Sequence, residues 1–200
     1  MNEKQREPNI NFHSNNILLT LLLIGLTAMF FALTVAYIYS RIQSNIQPIK
    51  IPNLFLFNTL IILASDVTMN KVYDSYFAKD KPKLFKFLNY SLVFALLFVL
   101  VQYIAWKQLI AQNIHIHTSS IAAYVYLISG LHAVHVLAGL PFVIWYYLES
   151  KKSMKSDELE RIYFADISKK IYLKLLIKYW RFLSGLWVYL VLFFFINYWF

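Results

Sequence analysis

No cysteine occurs anywhere in the 200 residues. That excludes disulfides, thiolate-bound zinc, iron–sulfur clusters and any cysteine-ligated copper centre within this polypeptide. Glycine is scarce, with 4 residues, and proline scarcely commoner, with 5. A phosphate-binding glycine loop, a nucleophile elbow and a zincin motif are all missing. So few glycines also argue against a transporter of broken helices, and no inverted repeat is evident. Charged residues make up only 14% of the chain against 60% hydrophobic. A soluble fold of this size would have more apolar side chains than its core could bury. The charge is instead confined to short segments between long apolar runs, and a spanning helix needs roughly 20 such residues. The chain reads as an all-α, polytopic membrane protein with a single transmembrane domain over residues 1–200.

Five spans are expected, at about 17–39, 54–71, 87–110, 119–148 and 175–199. The first follows a polar stretch, Met1 to Asn16, and is too long for a signal-peptide core, so no cleavage is expected. The second is the least apolar, carrying Asn58, Ser65 and Asp66. A short outer loop, Ala111 to Thr118, carries His115 and His117, which do not face one another if that segment is helical. Glu149 to Lys170 is the longest hydrophilic segment, and its mixed charges suit a solvated helical connector. Asn197, Tyr198, Trp199 and Phe200 resemble an interfacial anchor at the C-terminus.

Of the 19 Lys and Arg, sixteen fall on one side of this topology: Lys4, Arg6, five from Lys71 to Lys86 and nine from Lys151 to Arg181. Only Arg41, Lys50 and Lys107 fall on the other. The positive-inside rule then puts the N-terminus in the cytoplasm and the C-terminus in the periplasm. The net charge of +9 is a topology signal plus attraction to anionic lipid headgroups, not a nucleic-acid signature. The richness in Ile, Asn, Lys, Phe and Tyr hints at an AT-rich bacterial genome, and the expected location is a bacterial cytoplasmic (inner) membrane, as a multi-pass protein.

The rest of the chain reads as support for Ser129-Gly130-Leu131-His132-Ala133-Val134-His135-Val136-Leu137-Ala138-Gly139 in the fourth span. His132 and His135 are i and i+3, so both imidazoles are expected on one face. Gly130, Ala133, Ala138 and Gly139 are small enough to admit a neighbouring helix. A metal or heme reading needs further ligands that no other span supplies, so hydrogen-bonded packing histidines are the better reading. Asp66 is the only acidic residue placed within the membrane, which makes it a candidate for a proton relay or substrate site. A single carboxylate makes no proton path, however, and its place near the inner end of the span favours the headgroup region or a pairing with Lys71. Arg181, beside Tyr179 and Trp180, matches either a phospholipid phosphate or a snorkelling anchor. By chemistry alone this is a five-helix membrane subunit without a catalytic centre. A small transporter or channel using Asp66 and the histidine pair is the alternative of a different class, and scarce intramembrane charge argues against it.

Ser129-Gly130-Leu131-His132-Ala133-Val134-His135-Val136 resembles the Thr-Gly-Phe-His-Gly-Leu-His-Val signature of subunit III of the heme-copper terminal oxidases, in its shorter five-helix form. Tyr179-Trp180-Arg181-Phe182-Leu183-Ser184-Gly185-Leu186-Trp187 is similar to that family's Tyr-Trp-His-Phe-Val-Asp-x-x-Trp. Asn58-Thr59 with Ser65-Asp66-Val67-Thr68 is similar to its second-span pattern, and Gln102 and Trp106 fit the end of the third. The departures are Leu26, where the family has an intramembrane glutamate, Ala105 in place of another, and Arg181 and Ser184 in place of a histidine and an aspartate. The resemblance implies a subunit that holds no heme or copper itself, these belonging to partner subunits of a cytochrome c oxidase that reduces oxygen to water and pumps protons. It implies main contact with subunit I, which it stabilises, then subunit II, further small subunits or a respiratory supercomplex. It also implies bound phospholipid in a cleft between helices 1–2 and helices 3–5. Candidates for lipid binding or subunit packing are His132, His135, Arg181, Trp180, Asp66, Asn58 and Trp187. The same role in a quinol oxidase or in an accessory protein of nitric oxide reductase is the nearest alternative.

Overall fold

The computed structural model describes the backbone of residues 7–199 and the side chains of residues 14–199. Phe200 of the expected C-terminal anchor and the first six residues of the polar N-terminal stretch lie outside the described residues. Six helices make up the described chain: α1 (Glu7–Ser44), α2 (Leu54–Phe77), α3 (Lys81–Ala111), α4 (Ser120–Ser153), α5 (Asp157–Ala165) and α6 (Ile167–Trp199). Four of them are long and apolar enough to cross a membrane, within α1 and along α3, α4 and α6. At 1.5 Å per residue the last three reach ~45–50 Å, so their ends project beyond a ~30 Å hydrocarbon core. Helical hydrogen bonding therefore outruns the apolar segments that periodicity marks. α2 has 24 residues and falls outside the apolar set because it carries Asn58, Asp66, Asn70, Lys71 and Asp74, and its buried face also holds Ser65, Thr68 and Ser75.

α3, α4 and α5 start on capping side chains, whereas Asn53 before α2 makes no side-chain cap bond. Ser119 and Ser156 accept from the amides of Ala122 and Leu159 at the starts of α4 and α5. Asp80 does the same for α3 through Lys83, with Pro82 in the first turn. The Lys83 side chain and amide together hold the Asp80 carboxyl below the usual carboxylate range. Helix ends show what scarce glycine entails. All 4 glycines lie inside helices. α1, α2 and α3 instead stop on Asn45, Lys79 and Asn113, with φ of 49°, 54° and 60°. Each end closes with two reverse hydrogen bonds; after α2 these are Lys79 N–H to the Tyr76 carbonyl at 3.1 Å and Asp80 N–H to Ser75 at 2.9 Å. A left-handed lysine costs roughly 1–2 kcal/mol, partly offset by glycine's backbone entropy. Lys79→Gly is accordingly expected to stabilise the fold by up to about 1 kcal/mol, read as a raised melting temperature in detergent.

The hydrophilic segment expected as one connector from Glu149 to Lys170 is three pieces: the end of α4, all of α5, and the first turn of α6. α5 is held beneath the bundle by Tyr163, whose phenol meets Ser150 at 2.6 Å, and by Lys81 paired with Glu160 at 3.2 Å. The outer loop is not helical, and the His115 and His117 rings stack at 5.3 Å. A non-helical turn brings i and i+2 together where a helix would have parted them.

Helix pairing corrects one expectation. α2 packs along α3 most extensively and also on α6, whereas α1 packs on α4 and α6, so the first two helices do not form a unit. The polar face of α2 explains its choice. Thr68 pairs with Ser91 at 2.8 Å, the Ser65 hydroxyl donates to the Ser91 carbonyl at 3.2 Å, and the Trp180 indole donates to Ser65 at 3.0 Å. Small hydroxyl residues let helix backbones approach, and such bonds average about 0.6 kcal/mol within a membrane. α1 is tied to α6 by the Lys178 ammonium, which donates to Asn16 at 2.9 Å and to Thr20 at 2.7 Å. Thr34 with Tyr189 at 2.8 Å and Arg41 to the Asn197 carbonyl at 2.7 Å complete the tie.

Two cores result. Phe55, Phe98, Trp187 and Phe194 anchor one, towards the Arg41 end of α1; Met69, Leu84, Tyr146 and Trp180 anchor the other, towards α5. Of the small residues, Gly139 is the one that close approach demands: a Cβ there would lie 2.9 Å from the Tyr179 ring and 3.1 Å from the Trp180 ring. Gly139→Ala is expected to cost about 1–3 kcal/mol by overpacking α4 against α6, measurable as a lowered melting temperature.

Candidate functional site

The histidine pair does not share one partner, contrary to the one-face expectation. His132 is fully buried; its Nε2–H donates to the Leu183 carbonyl of α6 at 3.0 Å, and its ring lies 5.4 Å from Phe98 and 4.8 Å from Trp187. His135 is half-buried; its Nδ1 is 2.6 Å from the Leu131 carbonyl of its own helix, and its ring edge meets Phe30 of α1 at 5.9 Å. Residues three apart are rotated by about 60° around a helix. At the centre of a bundle that rotation is enough to send one ring to α3 and α6 and the other to α1. Their engaged ring nitrogens go to separate carbonyls. Among the described residues no group of three or more His, Asp or Glu stands close enough to hold a metal ion.

Asp66 accepts from Asn70 at 3.3 Å, and the Arg181 Nε lies 4.0 Å from its other oxygen. Arg181 also donates to the Asn70 side-chain oxygen, so it turns back onto α2. The alternative partner, Lys71, lies instead over the Phe87 ring at 5.3 Å. With the Arg181 side chain 62% exposed, this pair contributes little to stability. Asn58 donates to Gln102 of α3 at 3.0 Å, while Trp180 and Trp187 sit two turns apart on α6, one in each core. The seven candidates therefore divide. Asn58, His132, Trp180 and Trp187 are buried at different points inside the bundle, Asp66 and Arg181 form a rim pair, and His135 faces an open cleft.

That cleft has a volume of about 900 Å³. Its walls are Leu19, Leu22 and Leu26 of α1, His135, Ala138 and Trp145 of α4, and Tyr172, Leu175 and Tyr179 of α6, with Asn15 at one end. Neither α2 nor Arg181 lines it. Leu26, at the position where a glutamate was expected from the resemblance, makes that wall apolar. Trp145 and Tyr172 meet edge to face at 5.5 Å beside the basic end of α6. The Tyr179 hydroxyl donates to the His135 carbonyl at 2.9 Å, which fixes α4 to α6 along the cleft floor. Sequence reasoning missed Lys178, which holds α1 at the cleft's far side. It stood among nine inner cations read together as a topology signal. The available cue was its place four residues beyond Lys174, inside the apolar register of the last helix.

The family model described as cytochrome c oxidase subunit III matches residues 16–200 of the chain. Among curated proteins the chain is similar to cytochrome bo(3) ubiquinol oxidase subunit 3 of Buchnera aphidicola subsp. Acyrthosiphon pisum (strain APS), at 23% identity over 165 residues. That alignment covers 81% of this chain and 75% of the relative.

Proposed function

The chain belongs to the cytochrome c oxidase subunit III family, and from that premise we propose that it is the non-catalytic subunit III of a respiratory heme-copper oxidase in a bacterial cytoplasmic membrane. In this reading α2 is the fifth span, shielded by α3 and α6, with the N-terminus cytoplasmic and the C-terminus periplasmic. The sixteen-to-three division of Lys and Arg supports that orientation. The subunit packs against subunit I and stabilises it, and heme and copper reside in the partner subunits. Its own share of the chemistry is structural: a rigid, lipid-bearing wall beside the catalytic subunit.

The observation that carries the lipid part is the cleft between α1, α4 and α6. It is apolar along its walls and framed by Trp145, Tyr172 and Asn15 at the end nearest the basic inner segments. Aromatic side chains of that kind sit at headgroup level, and cationic segments attract anionic lipid. A phospholipid acyl chain fits these walls, with its headgroup at the aromatic end.

The family's description favours a cytochrome c oxidase, and the similarity to a ubiquinol oxidase subunit favours a quinol-oxidising assembly as the second reading. The deciding experiment is purification of the tagged chain from native membranes in mild detergent, followed by a reduced-minus-oxidised visible spectrum. Stoichiometric a-type heme with oxygen uptake from reduced cytochrome c establishes the first reading. Other hemes with quinol-driven uptake establish the second, and a preparation with no heme and no large partner removes both. In the same preparation His132→Leu is expected to weaken retention of the chain in the assembly and leave the heme spectrum unchanged. A changed spectrum at full retention would give His132 a ligand's role instead.

A further inference from the structure

Two pairs of buried side chains, Asn58 with Gln102 and His132 with Trp187, lie within about one helical turn of a common level on four different helices. Each residue keeps one polar atom without a hydrogen-bond partner among the described residues. They are Asn58 Oδ1, Gln102 Nε2, His132 Nδ1 and Trp187 Nε1. All four residues have zero exposure. Aromatic contacts fix the shared level. Phe98 lies 5.4 Å from the His132 ring and 5.0 Å from Trp187, and Phe55 stacks on Trp187 at 5.8 Å. Asn58 is one turn along α2 from Phe55, and Gln102 is one turn along α3 from Phe98. The two amides are joined to each other at 3.0 Å. One turn further along α3, Trp106 donates to Ser129 of α4, one turn before His132, which brackets Gln102 between the two contacts.

The hydrogen-bonding characters of the four atoms are complementary. His132 Nε2 faces a carbonyl, which only accepts, so the proton is on Nε2 and Nδ1 presents a lone pair. Asn58 Oδ1 is a second acceptor. Gln102 Nε2–H and Trp187 Nε1–H are donors. Rotating both amides by half a turn exchanges their roles and still leaves one donor and one acceptor. We infer that this level is a binding site for one internal water molecule, which donates to His132 and Asn58 and accepts from Gln102 and Trp187. Two donors and two acceptors are the full complement of a water, and polar groups buried without partners are rare in folded proteins. No anion, cation or apolar guest satisfies two donors and two acceptors together. The water links α2, α3, α4 and α6 through one node, which the direct bonds of these side chains do not do.

The test is oxidative footprinting of the full chain, in the assembly with which it purifies, by millisecond X-ray radiolysis in water. Radiolysis of a bound water labels the side chain beside it even where bulk solvent has no access. Trp187 is expected to be labelled, whereas Trp180, just as buried but with its N–H bonded to Ser65, is expected to stay unlabelled. In the double variant Asn58→Leu, Gln102→Met the Trp187 label is expected to fall to background. Equal labelling of the two tryptophans, or a Trp187 label that survives in the variant, overturns the proposal. Should the variant fail to fold, a cryo-EM map of the unaltered assembly decides instead. A density peak within hydrogen-bonding reach of at least three of the four atoms upholds the node. No peak, in a map that shows other buried waters, removes it.

Discussion

Trp187→Ala is expected to be the most damaging single substitution in the chain, at about 3–5 kcal/mol for a large-to-small change at a fully buried aromatic. Trp187 has zero exposure and touches three other helices at once: Phe55 of α2, Phe98 of α3 and His132 of α4. Removing the indole leaves a cavity lined by two phenyl rings and an imidazole. None of these can relax into it, because Asn58 and Gln102 hold α2 and α3 in place alongside. The expected readouts are a fall in melting temperature in detergent and loss of the chain from its assembly during purification. Trp187→Phe keeps most of the ring volume and is expected to lose less than half as much. Equal losses in the two variants would mean that the indole N–H, not packing, carries the stability.

Ala138→Trp is expected to remove co-purifying phospholipid almost completely while leaving the fold intact. Ala138 is exposed into the cleft rather than packed in either core, so a larger side chain extends into the cleft without meeting a buried neighbour. An indole at that position occupies the middle of the apolar channel between Leu22 and Leu175. Lipid mass spectrometry against the unaltered chain, with melting temperature as the control, measures the outcome. Unchanged lipid at unchanged stability would mean that the lipid lies elsewhere, and the outer face of α6 around Arg181 would then be the place to look. Loss of lipid with reduced retention of the chain would join the lipid to the assembly role.

Much of this architecture is legible in the sequence, and the gaps have identifiable causes. The four long apolar helices show as runs of composition, because apolar length is what a bilayer selects. The need of His132 for a protein partner shows too, since a polar group at the centre of such a run cannot face lipid cheaply. Which partner it finds does not show. Leu183, Phe98 and Trp187 lie 51, 34 and 55 positions away, and only helix pairing brings them together. Pairing is equally the reason the expected grouping of the first two helices fails. Periodicity states that α2 has a polar face, but not that Ser91 and Trp180 are its complement. The helix ends at Asn45, Lys79 and Asn113 escape detection because their usual marker is glycine, which this chain keeps inside helices. The start of α5 was readable, since Ser156 precedes Asp157 and Glu158 as a capping residue precedes an acidic first turn. Reading the whole segment as one solvated connector obscured it.

The manner in which α1 is attached sets a tempo for the cleft. On one side of the cleft α4 and α6 interlock through Gly139 and the Tyr179 and Trp180 rings, with no slack. On the other, α1 is held to α6 by three separate polar ties, at Lys178, Tyr189 and Arg41. At roughly 0.6 kcal/mol apiece in a bilayer these ties add about 2 kcal/mol to the packing that buries Phe30 and Tyr37 of α1 in the core. One wall of the cleft is therefore interlocked by close packing, and the other combines packing with separable polar ties. Substitutions at residues 16, 20 and 178 are accordingly expected to change how quickly a guest exchanges with the cleft, without altering the walls that line it.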